Sequence, residues 1–169
     1  MRPQVMQGRG NLSSAREHVE KSLGIALAES AAAKDDFEWQ RDLSEAQIRI
    51  GDVLQAQGDL PAALESYKGA HAIRERLAAA DPGNAGWQHD LSVSHETIGV
   101  VLRAQGNLAA ALDRYRAGLA IIERLATADP GNAGWQRDLG ASHSNIGVVL
   151  RTQGDLPAAL ERYKPAFTR

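Results

Sequence analysis

Apolar residues recur every three or four positions through most of the chain. From residue 87 to residue 125 they include Trp87, Leu91, Ile98, Val101, Leu102, Leu112, Tyr115, Leu119, Ile122 and Leu125. Steps of three and four residues place side chains on one stripe of an α-helix, whereas a half-buried strand alternates at every second residue. The pattern predicts two helices in this stretch, each about 20 residues and about 30 Å long.

Turn residues mark where these helices end. The first helix is predicted to stop at Gly106, because glycine readily adopts the left-handed conformation that ends a helix. Asn107 is the predicted N-cap of the second helix, and Asp59 and Asp155 are predicted to cap the helices at the equivalent places. The second helix is predicted to end before Pro130, because the residue that precedes a proline is disfavoured in helical conformation.

The chain repeats itself with a fixed period. Trp39, Trp87 and Trp135 lie 48 residues apart, and the loop sequence DPGNAGWQ occurs at residues 81–88 and again at 129–136. Two successive units are identical at about two-thirds of their positions. A fixed period of this size is typical of arrays in which each unit buries its apolar face against the next. We predict one array over residues 1–169, with a partial first unit at 1–38, units at 39–86 and 87–134, and a truncated last unit at 135–169.

Small and aromatic residues recur at fixed places in each unit. They are Gly51, Gly99 and Gly147 on the first helix, and Ala63, Ala111, Ala159, Tyr67, Tyr115, Tyr163, Ala70, Gly118 and Ala166 on the second. With the Gly-Asp or Gly-Asn turn between the helices, this arrangement resembles the tetratricopeptide repeat family. The units of that family are usually about 34 residues long, so the longer unit here looks most like the long-helix bacterial arrays. The resemblance implies an all-α fold, an α-solenoid of stacked antiparallel helix pairs wound into a right-handed superhelix.

The resemblance also implies a function. In the tetratricopeptide repeat family, the first helices of the units line a concave groove that binds peptides or partner proteins. We therefore expect a non-enzymatic scaffold module with a protein or peptide partner. The facing positions are Arg49, Asp52, Gln55, Glu96, Val100, Arg103, Asn145, Val148 and Arg151. Several of them differ between units, as the residues of a binding face do, but an ordinary solvated helix face explains the pattern equally well.

Composition narrows the choice of partner and compartment. The chain is 43% hydrophobic, which is enough to form a core, and its formal net charge is −2. Such a charge provides no basic field for a nucleic-acid backbone. The absence of cysteine excludes disulfides and thiolate metal sites. No apolar run approaches the roughly 20 residues that span a bilayer. We expect a cytoplasmic chain with neither a nucleic-acid nor a membrane partner.

Histidine and tryptophan are the two residue types that could indicate a more specific chemistry. His95 and His143 occupy the same place in their units, but that place lies on the packed stripe, which favours a partly buried structural histidine over a metal ligand. The sequence has no motif of a hydrolase or a metalloprotease. We predict no catalytic residue, no metal site and no cofactor. The three tryptophans could form an exposed aromatic ladder, yet their position on the apolar stripe favours packing.

Both ends of the sequence depart from the repeat pattern. Residues 5–10 align with residues 53–58, so the sequence is expected to begin partway through a first helix. Pro165 is expected to break the last helix, because proline lacks the backbone N–H that a helix requires. Apolar faces would then remain uncovered at both ends. The alternative function is therefore a self-assembling array that forms homo-oligomers through these ends.

Overall fold

The structure, a computed structural model, describes residues 36–163, and the regular structure in this range is entirely α-helical. The helices are α1 (Phe37–Ala56), α2 (Leu60–Ala80), α3 (Ala85–Ala104), α4 (Leu108–Ala128), α5 (Ala133–Thr152) and α6 (Leu156–Tyr163). Turns of three or four residues join consecutive helices. The predicted all-α fold of antiparallel helix pairs is confirmed, and so is the predicted helix length, since α1 to α5 have 20 or 21 residues each.

The chain divides into two compact units, residues 1–77 and residues 78–169. In the first unit, α1 pairs with α2 through a ring contact and hydrogen bonds. In the second unit, α3 packs against α4, α4 against α5, and α5 against α6. The repeat boundaries at 39–86, 87–134 and 135–169 describe a period of the sequence and stay a prediction.

Three glycines end the first helix of each pair. Gly58, Gly106 and Gly154 have φ angles of +83°, +81° and +85°. A Cβ at any of these positions would meet no heavy atom within 4 Å. Glycine is therefore selected here by the left-handed backbone alone, and not by crowding. The predicted helix end at Gly106 is confirmed.

Short polar side chains begin the helices. The predicted N-cap residues Asp59, Asn107 and Asp155 each accept a hydrogen bond from the backbone N–H three residues on, at 3.1, 3.3 and 3.1 Å. Asn84 and Asn132 cap α3 and α5 in the same way, at 3.1 and 3.2 Å. The sequence predicts only a turn at these two asparagines. Their capping role, which satisfies an otherwise unpaired N–H, emerges from the structure.

One cluster of the hydrophobic core in the second unit is formed by residues of α4, α5 and α6. Its buried members are Ala111, Leu112, Tyr115, Leu119, Ile122, Leu125, Ile146, Val149, Leu150 and Ala159. Trp135, which is half-buried, packs against this cluster. For this tryptophan the packing interpretation is confirmed, because its ring covers core residues and does not stand free in solvent.

A tyrosine ring lies directly over a glycine in the pairs α1/α2 and α3/α4. In the first unit the ring of Tyr67 on α2 covers Gly51 on α1, and in the second unit the ring of Tyr115 on α4 covers Gly99 on α3. A Cβ added at Gly99 would lie 2.6 Å from Cε1 of Tyr115, closer than nonbonded carbons approach. The glycine therefore permits the contact between the helices.

Several expectations concern residues outside the described range. The partial first unit falls mostly on residues 1–35, and the helix break at Pro165 falls on residues 164–169. The predicted homo-oligomer through the ends also depends on these residues, and it stays a prediction.

Candidate functional site

In the first unit, the predicted site residues lie on α1. Arg49 and Asp52 are exposed and Gln55 is half-exposed. The hydroxyl of Tyr67 donates a hydrogen bond to Oδ1 of Asp52 at 2.7 Å and lies 3.0 Å from Oε1 of Gln55. Two of the three positions are therefore already bonded to the neighbouring helix, and only Arg49 projects without such a contact.

In the second unit, Glu96, Val100 and Arg103 lie on α3 at steps of four and three residues, and all three are half-exposed. Val100 packs in part against the core cluster. Oε1 of Glu96 accepts a hydrogen bond from Oγ of Ser142 on α5. Burial raises the pKa of the Glu96 carboxyl, and the negative charge of Asp138 adds to this, while the hydrogen bond from Ser142 opposes it.

The remaining predicted residues, Asn145, Val148 and Arg151, lie on α5. Asn145 and Val148 are half-exposed and Arg151 is exposed. Val148 and Arg151 repeat Val100 and Arg103 after one period of the sequence. None of the nine predicted positions is buried, so each of them retains surface. Partner binding by these residues stays a prediction.

Polar contacts hold α3 and α5 side by side in the second unit. Nε2 of His89 lies 2.8 Å from Oδ2 of Asp138, and the Glu96–Ser142 hydrogen bond joins the same two helices further along. Neither contact could be predicted from the sequence, because both depend on how the two helices are rotated toward each other. They place the predicted residues of α3 and those of α5 on neighbouring helices.

Arg103 on α3 and Arg151 on α5 have no acidic partner in the described part of the chain. The ion pairs recorded between residues 36 and 163 involve other side chains. The charges of Arg103 and Arg151 are therefore available to a ligand, whereas that of Arg74 in the first unit is not. The guanidinium of Arg74 is buried and lies 2.6 Å from Oε1 of Glu45.

His95 and His143 lie among packed side chains. His95 and His143 are both half-buried, as the sequence predicts. Burial lowers the pKa of His143; the negative charge of Glu123 opposes this shift, and the positive charge of Arg162 adds to it. Within residues 36–163, no three acidic or histidine side chains are grouped so that they could hold a metal ion. Among the helices of the same range, none is both long enough and apolar enough to cross a bilayer.

Comparison with known proteins places these helix pairs in a family. Residues 42–124 match the family model of the tetratricopeptide repeat. This part of the chain belongs to that family. A search of the curated proteins gives no significant match. Among solved structures, the chain is similar to MamA at 16% identity, over 92% of this chain and 80% of that one, with a TM-score of 0.48. It is also similar to BtubC (BKLC) from P. vanneervenii at 13% identity, over 92% and 89% of the two chains, with a TM-score of 0.31.

Membership of the tetratricopeptide repeat family indicates the general kind of function. Proteins of this family are generally non-enzymatic scaffolds that bind other proteins. The resemblance that the repeated glycines, alanines and tyrosines carry is therefore confirmed, and the family suggests a protein-interaction scaffold.

Proposed function

We propose that the chain binds an extended segment of a partner protein on the face formed by its first helices. We call the part of this face on α3 and α5 the α3/α5 face, defined by Val100, Arg103, Val148 and Arg151. The proposal rests on one observation: the same valine and arginine stand on both helices, and these helices are neighbours joined by the His89–Asp138 contact.

The chemistry of the α3/α5 face suits a peptide segment. Val100 and Val148 are half-exposed and offer apolar contact area, while the two arginines offer donors that no carboxylate of residues 36–163 occupies. Arginine is enriched among the residues that contribute most to binding at protein interfaces. Arrays of stacked helix pairs present such repeated side chains along an extended surface, which favours a long, linear ligand over a small one.

A peptide-display selection tests the proposal. The isotope-labelled chain is titrated with peptides selected from a random library, and the amide shifts are mapped by NMR. We expect the largest shifts on α3 and α5, at and next to the α3/α5 face. The double variant Arg103→Glu, Arg151→Glu is expected to weaken binding strongly, because it reverses both charges of the face.

A matched variant separates this effect from a change in net charge. Arg76→Glu with Arg116→Glu changes the charge by the same amount on the exposed surface of α2 and α4, and it is expected to bind as the unmodified chain does. Peptides that shift only residues of the second helices, or that bind the first double variant undiminished, would refute the proposal. Self-assembly, the alternative function, predicts instead that neither double variant changes the mass measured by sedimentation.

A further inference from the structure

Tyr67 and Tyr115 occupy the same place in successive repeats but have different surroundings. Both rings lie over a glycine of the preceding helix, and the two residues are 1% and 0% exposed. The frame around the two hydroxyl groups is therefore the same. The difference lies in the two residues of the first helix that face the hydroxyl.

In the first unit, the hydroxyl has its acceptors within the chain. Tyr67 donates to the carboxylate of Asp52 at 2.7 Å, and the amide oxygen of Gln55 lies at 3.0 Å. Burial raises the pKa of the Tyr67 phenol, and the Asp52 carboxylate raises it further. The proton thus stays on the tyrosine, which acts as a hydrogen-bond donor to a carboxylate.

In the second unit, both acceptors are missing. Val100 stands where the first unit has Asp52, and Arg103 stands where it has Gln55. Neither side chain can accept a hydrogen bond, since valine is apolar and a guanidinium only donates. The hydroxyl oxygen of Tyr115 is buried and has no hydrogen-bond partner among residues 36–163. Arg103 and Glu96 are both close enough for their charges to act on the pKa of the Tyr115 phenol, in opposite directions, and the effect of Arg103 is the larger.

We propose that the Tyr115 hydroxyl and the Arg103 guanidinium together bind an aspartate or glutamate side chain of the partner segment. This inference rests on the proposed function, because the carboxylate arrives as part of the segment that the α3/α5 face binds. The first unit shows which group suits this hydroxyl, namely a carboxylate held by the neighbouring helix. The second unit lacks that carboxylate and carries a cation instead, so an external carboxylate supplies both the missing acceptor and the missing counter-charge.

Access to the hydroxyl depends on Arg103. Val100 and Arg103 are half-exposed, and the arginine side chain has several rotatable bonds, so it moves aside from the hydroxyl as it pairs with the arriving carboxylate. The pair then forms away from bulk water, where charge-assisted hydrogen bonds are strong. Burying a donor without an acceptor is unfavourable, so the site is already arranged for an acidic ligand.

The experiment uses short synthetic peptides as probes. One alternates glycine and glutamate and has blocked termini, and a second has glutamine in place of each glutamate. Binding to the isotope-labelled chain is followed through the amide shifts of residues 99–104 and the side-chain Nε–Hε signal of Arg103. We expect the glutamate peptide to bind about tenfold or more tightly than the glutamine peptide, as is typical when a charged hydrogen-bond partner is lost.

Three variants locate the binding energy. Tyr115→Phe removes only the hydroxyl and is expected to weaken binding of the glutamate peptide about fivefold or more. Val100→Asp with Arg103→Gln recreates the Asp52 and Gln55 arrangement of the first unit, so the fold is preserved, and it is expected to abolish binding. Arg116→Gln removes the same charge from the exposed surface of α4 and is expected to change nothing.

Two outcomes overturn the inference. One is equal binding of the glutamate and glutamine peptides, or no binding of either. The other is a glutamate peptide that binds the Tyr115→Phe chain and the Val100→Asp, Arg103→Gln chain as tightly as the unmodified chain. Neither outcome refutes the proposed function if neutral peptides selected by display still change the amide shifts of the α3/α5 face. If no peptide of any composition shifts that face, the proposed function fails as well.

Discussion

Removing one hydroxyl group from each of two equivalent tyrosines is expected to have different effects on stability. Tyr67→Phe deletes a donor that is bonded to Asp52 at 2.7 Å. Tyr115→Phe deletes a buried hydroxyl that has no hydrogen-bond partner in the described part of the chain. Both variants keep the ring over its glycine, so the packing terms are nearly equal, and the difference between the two variants reports on the hydrogen bond alone.

The expected magnitudes follow from these contacts. A hydrogen bond to a charged group contributes about 1.5–3 kcal/mol. Asp52 is exposed and is rehydrated when the hydroxyl is lost, so we expect Tyr67→Phe to lower the free energy of unfolding by about 1–2 kcal/mol. For Tyr115→Phe we expect a change between zero and a gain of about 1 kcal/mol, because an unsatisfied buried donor is itself destabilising.

Urea denaturation followed by circular dichroism, with amide hydrogen exchange on α1 to α4, provides the assay. Hydrogen exchange is included because it reports the stability of the helices in each unit separately. Val100→Asp then supplies the acceptor that Tyr115 lacks, and it is expected to stabilise the unmodified chain more than it stabilises the Tyr115→Phe chain. This double-mutant cycle isolates the new hydrogen bond.

The reasoning is refuted if Tyr115→Phe destabilises the chain as much as Tyr67→Phe does. In that case the Tyr115 hydroxyl would have an acceptor of its own in the free chain, and the carboxylate subsite would lose its basis. A cycle in which Val100→Asp has the same effect with Tyr115 and with phenylalanine would lead to the same conclusion.

Three further predictions concern pH and the backbone. Burial raises the pKa of Glu96 in the folded chain, so the stability of the fold decreases as pH rises above the ordinary glutamate pKa of about 4.3. Glu96→Gln keeps an acceptor for Ser142 and should raise the thermal midpoint at neutral pH but not at acidic pH. An equal shift at both pH values would contradict this prediction. Burial lowers the pKa of His143, so the folded chain loses stability as pH falls below about 6.5, where the unfolded chain takes up a proton at this histidine more readily. His143→Gln should therefore reduce the decrease in thermal midpoint on acidification. An unchanged decrease would contradict this prediction. Gly140 lies inside α5 with no heavy atom within 4 Å of its Cβ position, so Gly140→Ala should add roughly 0.5–1 kcal/mol of stability. Gly106→Ala should instead lose about 1–2 kcal/mol, because it forces a side chain onto a left-handed backbone; urea denaturation of both variants checks the opposite signs.

Features set by a few neighbouring residues could be predicted from the sequence. The end of α3 at Gly106 and the cap at Asn107 depend on local backbone chemistry, which three or four residues determine. The approach of Tyr115 to Gly99 could also be predicted, because the family resemblance identifies both positions. The nine candidate residues all retain surface for a related reason, since their steps along the helices avoid the apolar stripe.

Contacts between helices that are far apart in sequence could not be predicted. The Glu96–Ser142 hydrogen bond and the His89–Asp138 contact depend on the rotation and offset of α3 against α5, which no local pattern encodes. The lack of an acceptor for the Tyr115 hydroxyl also could not be predicted, because it becomes clear only when the position of the tyrosine ring is known. The sequence signal was nonetheless present, since Val100 and Arg103 replace the polar pair of the preceding unit.

The two identical loops make the length of the array adjustable. Asn84 and Asn132 cap their helices alike, and the side-chain amides of Gln88 and Gln136 donate to the backbone oxygens of Ala78 and Ala126, at 2.9 and 3.1 Å. A crossover from one loop to the same point in the other therefore deletes or duplicates 48 residues and preserves the hydrogen bonds at the junction. Such a deletion or duplication changes the number of helices that are equivalent to α3. The new junction would have the same sequence and hydrogen bonds as the original loops.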